Sequence, residues 1–327
     1  MLLLADTRAA CEGLVSERAL RRLASEDVPA ELQDVWRRLA GDADAWAATL
    51  AIPDTPEGPE RSLIAIEHAA GSQFGALQAA LRAGAWLPER VACLALAGTA
   101  FRGQRGRTWE ALRGNLHLSL LAALGRPAAS VQTALTALPA VAAARAIERV
   151  TRGRVRPGIK WVNDLLLAGR KVGGVLSATH VQADQATHVL VGIGLNVERA
   201  PELPRDPRAP RPGSLRELAG SDAPILPSLT LALLAELDRA LEQVRSGGGA
   251  ELVEAYRRRS LVVGRRVAIW PVNDDAGAQE PVLEGRVRSL RRDLGLIIEG
   301  HPEPVHGGRL TFSDAVNAVE HDAPEDG

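Results

Sequence analysis

The stretch GIKWVNDLLLAGRKVGGVLSA, residues 158–178, contains both lysines of the chain, Lys160 and Lys171. All the other basic residues, out of 39 lysines and arginines, are arginines. A lysine ammonium is a compact charge with three rotatable donors that can follow a carboxylate or phosphoryl oxygen, whereas a planar guanidinium needs a wider cavity. We therefore interpret this stretch as part of a site for an anionic reactant.

The spacing within the stretch predicts that its charged groups meet. Alternation along GIKWVNDLLL predicts one strand that projects Lys160, Val162 and Asp164 to the same face. Gly169 predicts a hairpin, after which KVGGVL returns alongside, so that the two lysines approach one site. The alternative for Lys171 is a solvated position in the hairpin turn.

A second candidate is the loop FRGQRGRTW, residues 101–109, with three arginines and two glycines. Glycines let a backbone approach a ligand closely, and guanidinium groups offer forked donors to carboxylate or phosphate oxygens. The loop therefore predicts binding of an anion. In a chain this rich in arginine, a solvated basic turn is the alternative.

The segment GIGLN, residues 192–196, ends an apolar stretch with two glycines and Asn196. It could bring the backbone close to a flat ring, with the asparagine amide as donor and acceptor. It lacks the third glycine of a dinucleotide fingerprint, so a strand end or bulge remains the alternative. His306-Gly307-Gly308 could likewise approach a nucleotide, but a turn is favoured.

Composition narrows the class of protein. The chain has 327 residues, 46% of them apolar, and a formal net charge of −1, so no overall field draws it to nucleic acid or an anionic membrane. We find no secretory h-region and no apolar stretch long enough to span a bilayer, and we expect a cytoplasmic protein. Cys11 and Cys93 form no CxxC pair and are expected to be buried hydrophobes.

Hydrophobic periodicity divides the chain into four parts. We predict a helical acidic extension and linker over 1–61, one α+β domain over 62–259, a small all-β module over 260–316 and a disordered tail over 317–327. The first 60 residues carry six arginines against twelve acidic residues. This balance opposes DNA binding by the predicted helices.

Taken in order, FRGQRGRTW, GNLHLSLL, GIKWVNDLLLAGRKVGGVL and VGIGLN resemble motifs of the biotin protein ligases, over about residues 62–315. The resemblance implies an α+β fold: a mixed-sheet, biotin/lipoate protein ligase-like catalytic domain with a small C-terminal SH3-like β-barrel. Residues 62–259 would be the catalytic, biotin- and ATP-binding domain.

The activity implied is that of a biotin–[acetyl-CoA-carboxylase] ligase. The biotin carboxylate would attack the α-phosphorus of ATP, with Mg²⁺ as the metal of the nucleotide, to give biotinyl-5′-adenylate. A lysine of a biotin carboxyl carrier domain would then take the biotin. No DNA or membrane partner is implied, no dedicated metal ligands are visible, and a homodimer is one oligomeric state left open.

The resemblance also implies roles for individual residues. The catalytic residues would be Lys160 and Arg105. Biotin or its adenylate would be bound by Ser72, Gln73, Thr99, Arg102, Gly103, Gln104, Arg107, Trp109 and Gly173. ATP would be bound by Asn163, Asp164, Lys171 and Asn196.

The sequence departs from the family pattern at several of these positions. Ser72-Gln73 stands nearest the usual Ser-Thr-Asn, and Ala97-Gly98-Thr99 leads into the arginine loop where a glutamine is usual. Gln104 and Val162 replace an arginine and a proline. Two alternatives therefore stay open: a ligase that adenylates a different small carboxylate, and a non-catalytic protein that binds biotin or nucleotide.

Overall fold

The computed structural model describes residues 1–53, 61–85, 87–271 and 280–313. The chain forms two compact units. The first comprises Met1–Arg205 and Arg211–Ser260, and the second comprises Asp206–Pro210 and the chain from Leu261 onward. The longer segment of the second unit begins at Leu261. The predicted tail over 317–327 lies outside the described residues.

A ten-stranded mixed sheet forms the centre of the first unit, with β1, β4 and β5 parallel and the other neighbours antiparallel. Its order is β2-β3-β1-β4-β5-β6-β10-β9-β8-β7. The strands are β1 (Leu2–Ala5), β2 (Arg21–Leu23), β3 (Ala45–Thr49), β4 (Ser62–Ile66), β5 (Arg90–Ala95), β6 (Leu116–Pro127), β7 (Gly158–Lys160), β8 (Asp164–Leu167), β9 (Arg170–Gln182) and β10 (Gln185–Leu195). The mixed α+β fold class expected from the sequence is confirmed.

Helices cover this sheet. They are α1 (Ala30–Ala40), α2 (Gln73–Arg82), α3 (Ala128–Val150), α4 (Leu215–Ala219), α5 (Leu226–Arg245) and α6 (Gly249–Arg258). The long apolar α3 packs against β9 and β10 and also against α5 and α6, while α2 packs against α1, β6 and β10. The spacing of apolar residues from Leu226 to about Arg259 predicts one amphipathic helix, and the structure has two, α5 and α6, separated at 246–248.

The N-terminal residues do not form the predicted helical extension. β1 pairs with β3 on one side and with β4 on the other, so the first residues lie inside the sheet. Leu4, Trp36 and Ile64 share one buried cluster. The expectation of a separate extension over 1–61 is therefore wrong, because these strands pair with the sheet that follows them.

The second unit contains an antiparallel sheet in the order β13-β12-β11-β14. Its strands are β11 (Arg266–Trp270), β12 (Leu283–Leu290), β13 (Leu296–Ile298) and β14 (Arg309–Phe312). The described residues of this unit thus include a small antiparallel sheet, and the barrel expected here stays a prediction. In the described part of the chain, no single helix has the length and apolar character of a membrane span, and one bent pair, Leu215–Asp222 with Leu226–Arg245, meets that test only jointly.

Candidate active site

A tight hairpin carries the first lysine of the site. The stretch GIKWVNDLLL is not one strand, as predicted, but two strands, β7 and β8, joined by a turn at 161–163. Lys160 and Asp164 are direct cross-strand partners, and the Nζ of Lys160 lies 3.6 Å from Oδ2 of Asp164. Lys160 is only 5% exposed. Lys160 and Asp164 therefore face each other because they are opposite residues of a hairpin, and not because they alternate along one strand, as the sequence predicted.

The second lysine, Lys171, contacts the same carboxylate, as the hairpin predicted at Gly169 implies. β8 and β9 pair across the turn at Gly169, and Lys171 Nζ lies 2.6 Å from Oδ1 of Asp164. Burial alone would raise the pKa of Asp164, but the ammoniums of Lys171 and Lys160, with the Arg107 guanidinium, lower it below its usual value. Two ammoniums share one carboxylate, so the cluster retains a positive charge for an anionic ligand.

Two residues fix the turn of this hairpin, whose Trp161–Val162 peptide bond is cis. The hydroxyl of Tyr256, on α6, donates to the carbonyl of Val162 at 2.9 Å, and Asn163 Nδ2 donates to the carbonyl of Val175 at 3.1 Å. Sequence reasoning missed Tyr256. The only signal available was that this single tyrosine of the chain lies on the apolar face of a helix. Asn163 therefore fixes the turn by its hydrogen bond to the backbone of β9.

The ring of Trp109 packs against Gly194, a glycine of the GIGLN segment. A Cβ at Gly194 would lie 2.4 Å from the Trp109 ring, and one at Gly192 would lie 2.9 Å from Phe74. The sequence predicts that the GIGLN backbone lies close to a flat ring of a ligand. In the structure, the rings close to these glycines are those of Trp109 and Phe74. Lys171 Nζ lies 6.0 Å from the centre of the Trp109 ring.

His117 is a buried partner of Trp109 that the sequence did not reveal. Trp109 Nε1 donates to His117 Nδ1 at 3.3 Å. An indole can only donate, so the proton of the neutral imidazole is on Nε2, which lies 3.2 Å from the Leu112 carbonyl. Burial lowers the pKa of His117 to about 4. The ring therefore stays neutral and supports Trp109 rather than transferring protons near neutral pH.

The arginine loop closes on itself as a small hairpin. Gly103 N–H donates to the Arg107 carbonyl at 2.7 Å, and Arg102 Nη1 donates to the Thr108 hydroxyl at 3.3 Å. Arg105 adopts φ 60°, a left-handed conformation that is uncommon outside glycine. The side chains of Arg102, Arg105 and Arg107 are exposed, while Gln104 contributes its carbonyl to Arg107 Nε at 3.4 Å. The loop thus presents guanidinium groups at the surface.

A second set of predicted residues meets at the beginning of α2. The Thr99 hydroxyl donates to the Ala70 carbonyl at 3.2 Å, which places Thr99 beside the segment that leads into Ser72 and Gln73. Gln73 is 1% exposed, and its Nε2 has no hydrogen-bond partner among the described residues. A buried amide donor without an acceptor is costly unless a ligand supplies one.

Asn196 and Gly173 contact the backbone near Lys171. Asn196 Nδ2 donates to the Gly213 carbonyl at 3.0 Å and lies 3.4 Å from that of Lys171. Its Oδ1 is buried and accepts no hydrogen bond from the described residues. A Cβ at Gly173 would lie 2.9 Å from the Gly194 carbonyl, so this glycine permits β9 to pack on β10.

The described residues include no cluster of three or more His, Cys, Asp or Glu able to hold a metal ion. Asp164, the carboxylate of the lysine cluster, is already engaged by two ammoniums. The lysines and arginines of the site can bind anions. Gln73 and Asn196 add buried amide atoms that have no hydrogen-bond partner among the described residues.

The chain is similar in sequence to known ligases. Residues 84–196 match the Biotin/lipoate A/B protein ligase family. A biotin–[acetyl-CoA-carboxylase] ligase of Paracoccus denitrificans is 32% identical over 192 residues, covering 55% of this chain and 78% of that protein. The bifunctional ligase/repressor BirA of Bacillus subtilis is 36% identical over 117 residues, covering 35% of this chain and 34% of that protein.

A solved structure shares the fold. The biotin protein ligase of Aquifex aeolicus, in complex with biotin and ATP, superposes with a TM-score of 0.53 at 24% identity, over 68% of this chain and 89% of that one. At this identity the likeness establishes a shared fold. The chain belongs to the biotin protein ligase family. It spans about a third of the length of the Bacillus subtilis relative.

Proposed function

We propose that this chain is an ATP-dependent biotin–[acetyl-CoA-carboxylase] ligase. A carboxylate oxygen of biotin attacks the α-phosphorus of ATP and pyrophosphate leaves, which forms biotinyl-5′-adenylate. The amine of a lysine on a biotin carboxyl carrier domain then attacks the acyl carbon; AMP leaves and the amine loses a proton. Relatives named for this activity support the assignment.

The observation that carries the proposal is the lysine cluster. Both substrates of the first step are anions, so the enzyme must offset their repulsion and align them. Lys160 is buried and Lys171 is half-buried, and both Nζ atoms lie within 4 Å of Asp164. Asp164 orients the two ammoniums without neutralising both. Lys160 would bind the biotin carboxylate and the phosphoryl oxygens, and Lys171 would bind the phosphates.

Two buried amide atoms without a hydrogen-bond partner among the described residues would bind the two ends of the adenylate. Gln73 Nε2 is a buried donor without a partner among the described residues, and a ureido carbonyl of biotin would satisfy it, with Ser72 and Thr99 beside it. Asn196 Oδ1 is a buried acceptor in the same condition, and an adenine amino group would satisfy it. Each contact would remove the cost of an unpaired buried polar atom.

The exposed arginine loop would order over the bound adenylate. Arg102, Arg105 and Arg107 lie on a loop whose ends are fixed by the Gly103–Arg107 and Trp109–Phe101 backbone hydrogen bonds. Their guanidinium groups can bind phosphate in a forked manner. Closure of the loop would exclude water, which otherwise hydrolyses the mixed anhydride.

Mg²⁺ fits this scheme as part of its ATP complex. Hard cations prefer several oxygen ligands, and the carboxylate of the lysine cluster is committed to two ammoniums. The ligands of the ion would then be triphosphate oxygens and water. When bound, the ion neutralises charge on the triphosphate.

The rest of the chain fits the same role. We infer that the four-stranded sheet of the second unit is the SH3-like module of these ligases. Since β1 and β3 build residues 1–53 into the sheet, we infer no DNA-binding function for them. The activity would be cytoplasmic, where ATP is available.

Pyrophosphate release from ATP tests the proposal. The chain is assayed with biotin, lipoate, octanoate or no acid, followed by transfer to a biotin carboxyl carrier domain. Biotin-dependent release and labelling of the carrier are expected. Release with another acid alone would favour the second candidate, a ligase for a different carboxylate, which the Gln73 and Thr99 positions favour. No release with any acid from folded protein would refute the ligase function.

A further inference from the structure

Asn115 is a fully buried side chain that forms four hydrogen bonds to one short segment of backbone. Its Oδ1 accepts three N–H groups, from Val197 at 2.9 Å and from Glu198 and Arg199 at 3.1 Å. Its Nδ2 donates to the Arg199 carbonyl at 2.8 Å. One side chain thus holds three consecutive residues, which we call the 197–199 segment.

The bond from Val197 is the most sensitive of the four. It is the shortest of the three that Oδ1 accepts, and Val197 is itself buried. A buried N–H group that loses its acceptor is costly. On its outer side the segment is held by the partly exposed ion pair of Glu198 with Arg216, and exposed pairs contribute little. Asn115 therefore restrains the segment more strongly than this ion pair does.

The restraint reaches Asn196 through one peptide group. This planar group joins Asn196 to Val197. Its carbonyl accepts the Leu215 N–H at 2.8 Å, and its N–H donates to Asn115. On the other side of the Asn196 Cα, the Asn196 N–H donates to the Val172 carbonyl at 2.8 Å. The backbone that carries the Asn196 side chain is therefore held on both sides.

The Asn196 side chain is anchored through its nitrogen. Nδ2 donates to the Gly213 carbonyl at 3.0 Å, whereas the buried Oδ1 accepts no hydrogen bond from the described residues. An amide oxygen accepts from an amino group, and a base without such a group leaves the oxygen unpaired. The place of this oxygen thus sets a preference for a base with an exocyclic amino group.

We propose that Asn115 is a positioning residue for nucleotide selection: by holding the 197–199 segment, it places Asn196 Oδ1 to accept the exocyclic amino group of adenine. The inference rests on the proposed function. It extends that function to a residue that does not touch the nucleotide, because the restraint passes through the peptide group between Asn196 and Val197. Loss of Asn115 should therefore change the preference between bases as well as stability.

Purine riboside triphosphate, which is ATP without the exocyclic amino group, is the probe. In the wild-type chain its KM should exceed that of ATP at least about tenfold, since a buried acceptor is left unpaired. Asn115→Leu has a similar volume and no hydrogen-bonding group. In this variant KM for ATP should rise about tenfold, the preference should shrink below about threefold, and KM for biotin should stay unchanged. A wild-type chain without the preference, or Asn115→Leu with the full preference, would overturn the proposal.

Asn115→Asp is the conservative variant. It keeps an oxygen for the three N–H groups and loses only the donor to the Arg199 carbonyl. The preference for ATP should therefore persist in Asn115→Asp, whether or not Asn115→Leu folds. Loss of the preference in folded Asn115→Asp would contradict the assignment to the three accepted bonds.

Thr151→Val is the matched control, because Thr151 is a buried side chain that holds another turn. Its hydroxyl donates to the Ile147 carbonyl at 2.7 Å and accepts the Val155 N–H at 3.2 Å. The control should lower stability without changing the preference between the two nucleotides. An equal loss of preference in Thr151→Val would overturn the proposal, since general loosening of the fold would then explain it.

Amide hydrogen exchange separates this inference from the proposed function. The Val197 N–H should lose at least about tenfold of its protection in Asn115→Leu and keep it in Thr151→Val. Unchanged protection in Asn115→Leu would overturn the restraint. If the wild-type chain releases no pyrophosphate with any acid, the proposed function fails, and equilibrium binding of the two nucleotides still decides the preference.

Discussion

Lys171 Nζ lies 2.6 Å from Oδ1 of Asp164, across the hairpin formed by β8 and β9. Lys160 approaches the other oxygen of the same carboxylate. This arrangement explains why two lysines persist in a chain that otherwise uses arginine. Two compact ammoniums can share one buried carboxylate and still direct donors outward, whereas two planar guanidinium groups would need a larger cavity.

The N-terminal residues should be indispensable for folding. Deletion of 1–60 removes β1, β2 and β3 and leaves β4 at the edge of the sheet. It also removes Leu4 and Trp36 from the buried cluster and so uncovers Ile64. The loss should exceed the whole stability of a domain, about 5–15 kcal/mol, so the truncated chain should be insoluble. The control Arg22→Ala breaks an exposed ion pair and should cost under about 1 kcal/mol. A soluble truncated chain that unfolds cooperatively would contradict the prediction.

His117 should make stability depend on pH. Its pKa is lowered to about 4 in the folded protein, from 6.5. Between these values the unfolded chain binds a proton that the folded chain does not, so the free energy of unfolding falls as pH falls through this window. The contribution is about 3 kcal/mol. Urea unfolding at pH 7 and pH 4 should show that His117→Gln loses this part of the decrease. An identical decrease in the variant would argue against it.

The glycines of the site should differ in their tolerance of a methyl group. Gly194→Ala places a Cβ 2.4 Å from Trp109 and should cost about 1–3 kcal/mol. Gly75, in α2, has nothing within 4 Å of such a Cβ, and Gly75→Ala should stabilise the protein by up to about 1 kcal/mol. Thermal unfolding compares the two variants. Equal effects would mean that the indole does not occupy the place described.

Tyr256→Phe should slow adenylate formation more than its effect on folding would suggest. The change leaves the Val162 carbonyl without its hydroxyl donor, which costs about 1–2 kcal/mol of stability. It also loosens the turn between Lys160 and Asp164, so pyrophosphate release should slow about tenfold. Thr230→Val is the control, since it removes a buried hydroxyl bond to Leu226 within α5. Equal slowing in both variants would exclude a positioning role for Tyr256.

Local patterns predicted the elements that carry strong periodicity. The segments SLIAIEH, VACLALAG, GNLHLSLLAAL and THVLVGIGLNV have a pattern typical of strands, and they overlap β4, β5, β6 and β10. FGALQAALRAG and SVQTALTALPAVAAARAIERV have a pattern typical of helices, and they overlap α2 and α3. β1 and β2 were missed because strands of four and three residues are too short for alternation, and their pairing partners are distant in sequence. The hairpin at 161–163 was missed because alternation continues through a turn between two short strands.

The candidate site was predictable where charge and chemistry are concentrated in one motif. The turn at Gly169 brings Lys171 to Asp164 as predicted. Lys160 reaches Asp164 as a cross-strand partner, and not through the alternation that predicted the meeting. Tyr256 and His117 could not be found this way, because each acts through a contact with a residue far away or on another element. The rings packed against Gly192 and Gly194 belong to the protein, which a glycine pattern alone cannot show.

The most direct test of the account is pyrophosphate release by Lys160→Arg beside the wild-type chain, with biotin as the acid. The guanidinium keeps the charge but not the shape that fits the Asp164 hairpin. We expect biotin-dependent release in the wild type and a loss of at least about 100-fold in the variant, the scale of one lost charge contact at a reacting phosphorus. Circular dichroism should show that the variant is folded. Release at the wild-type rate from Lys160→Arg would contradict the role assigned to this lysine.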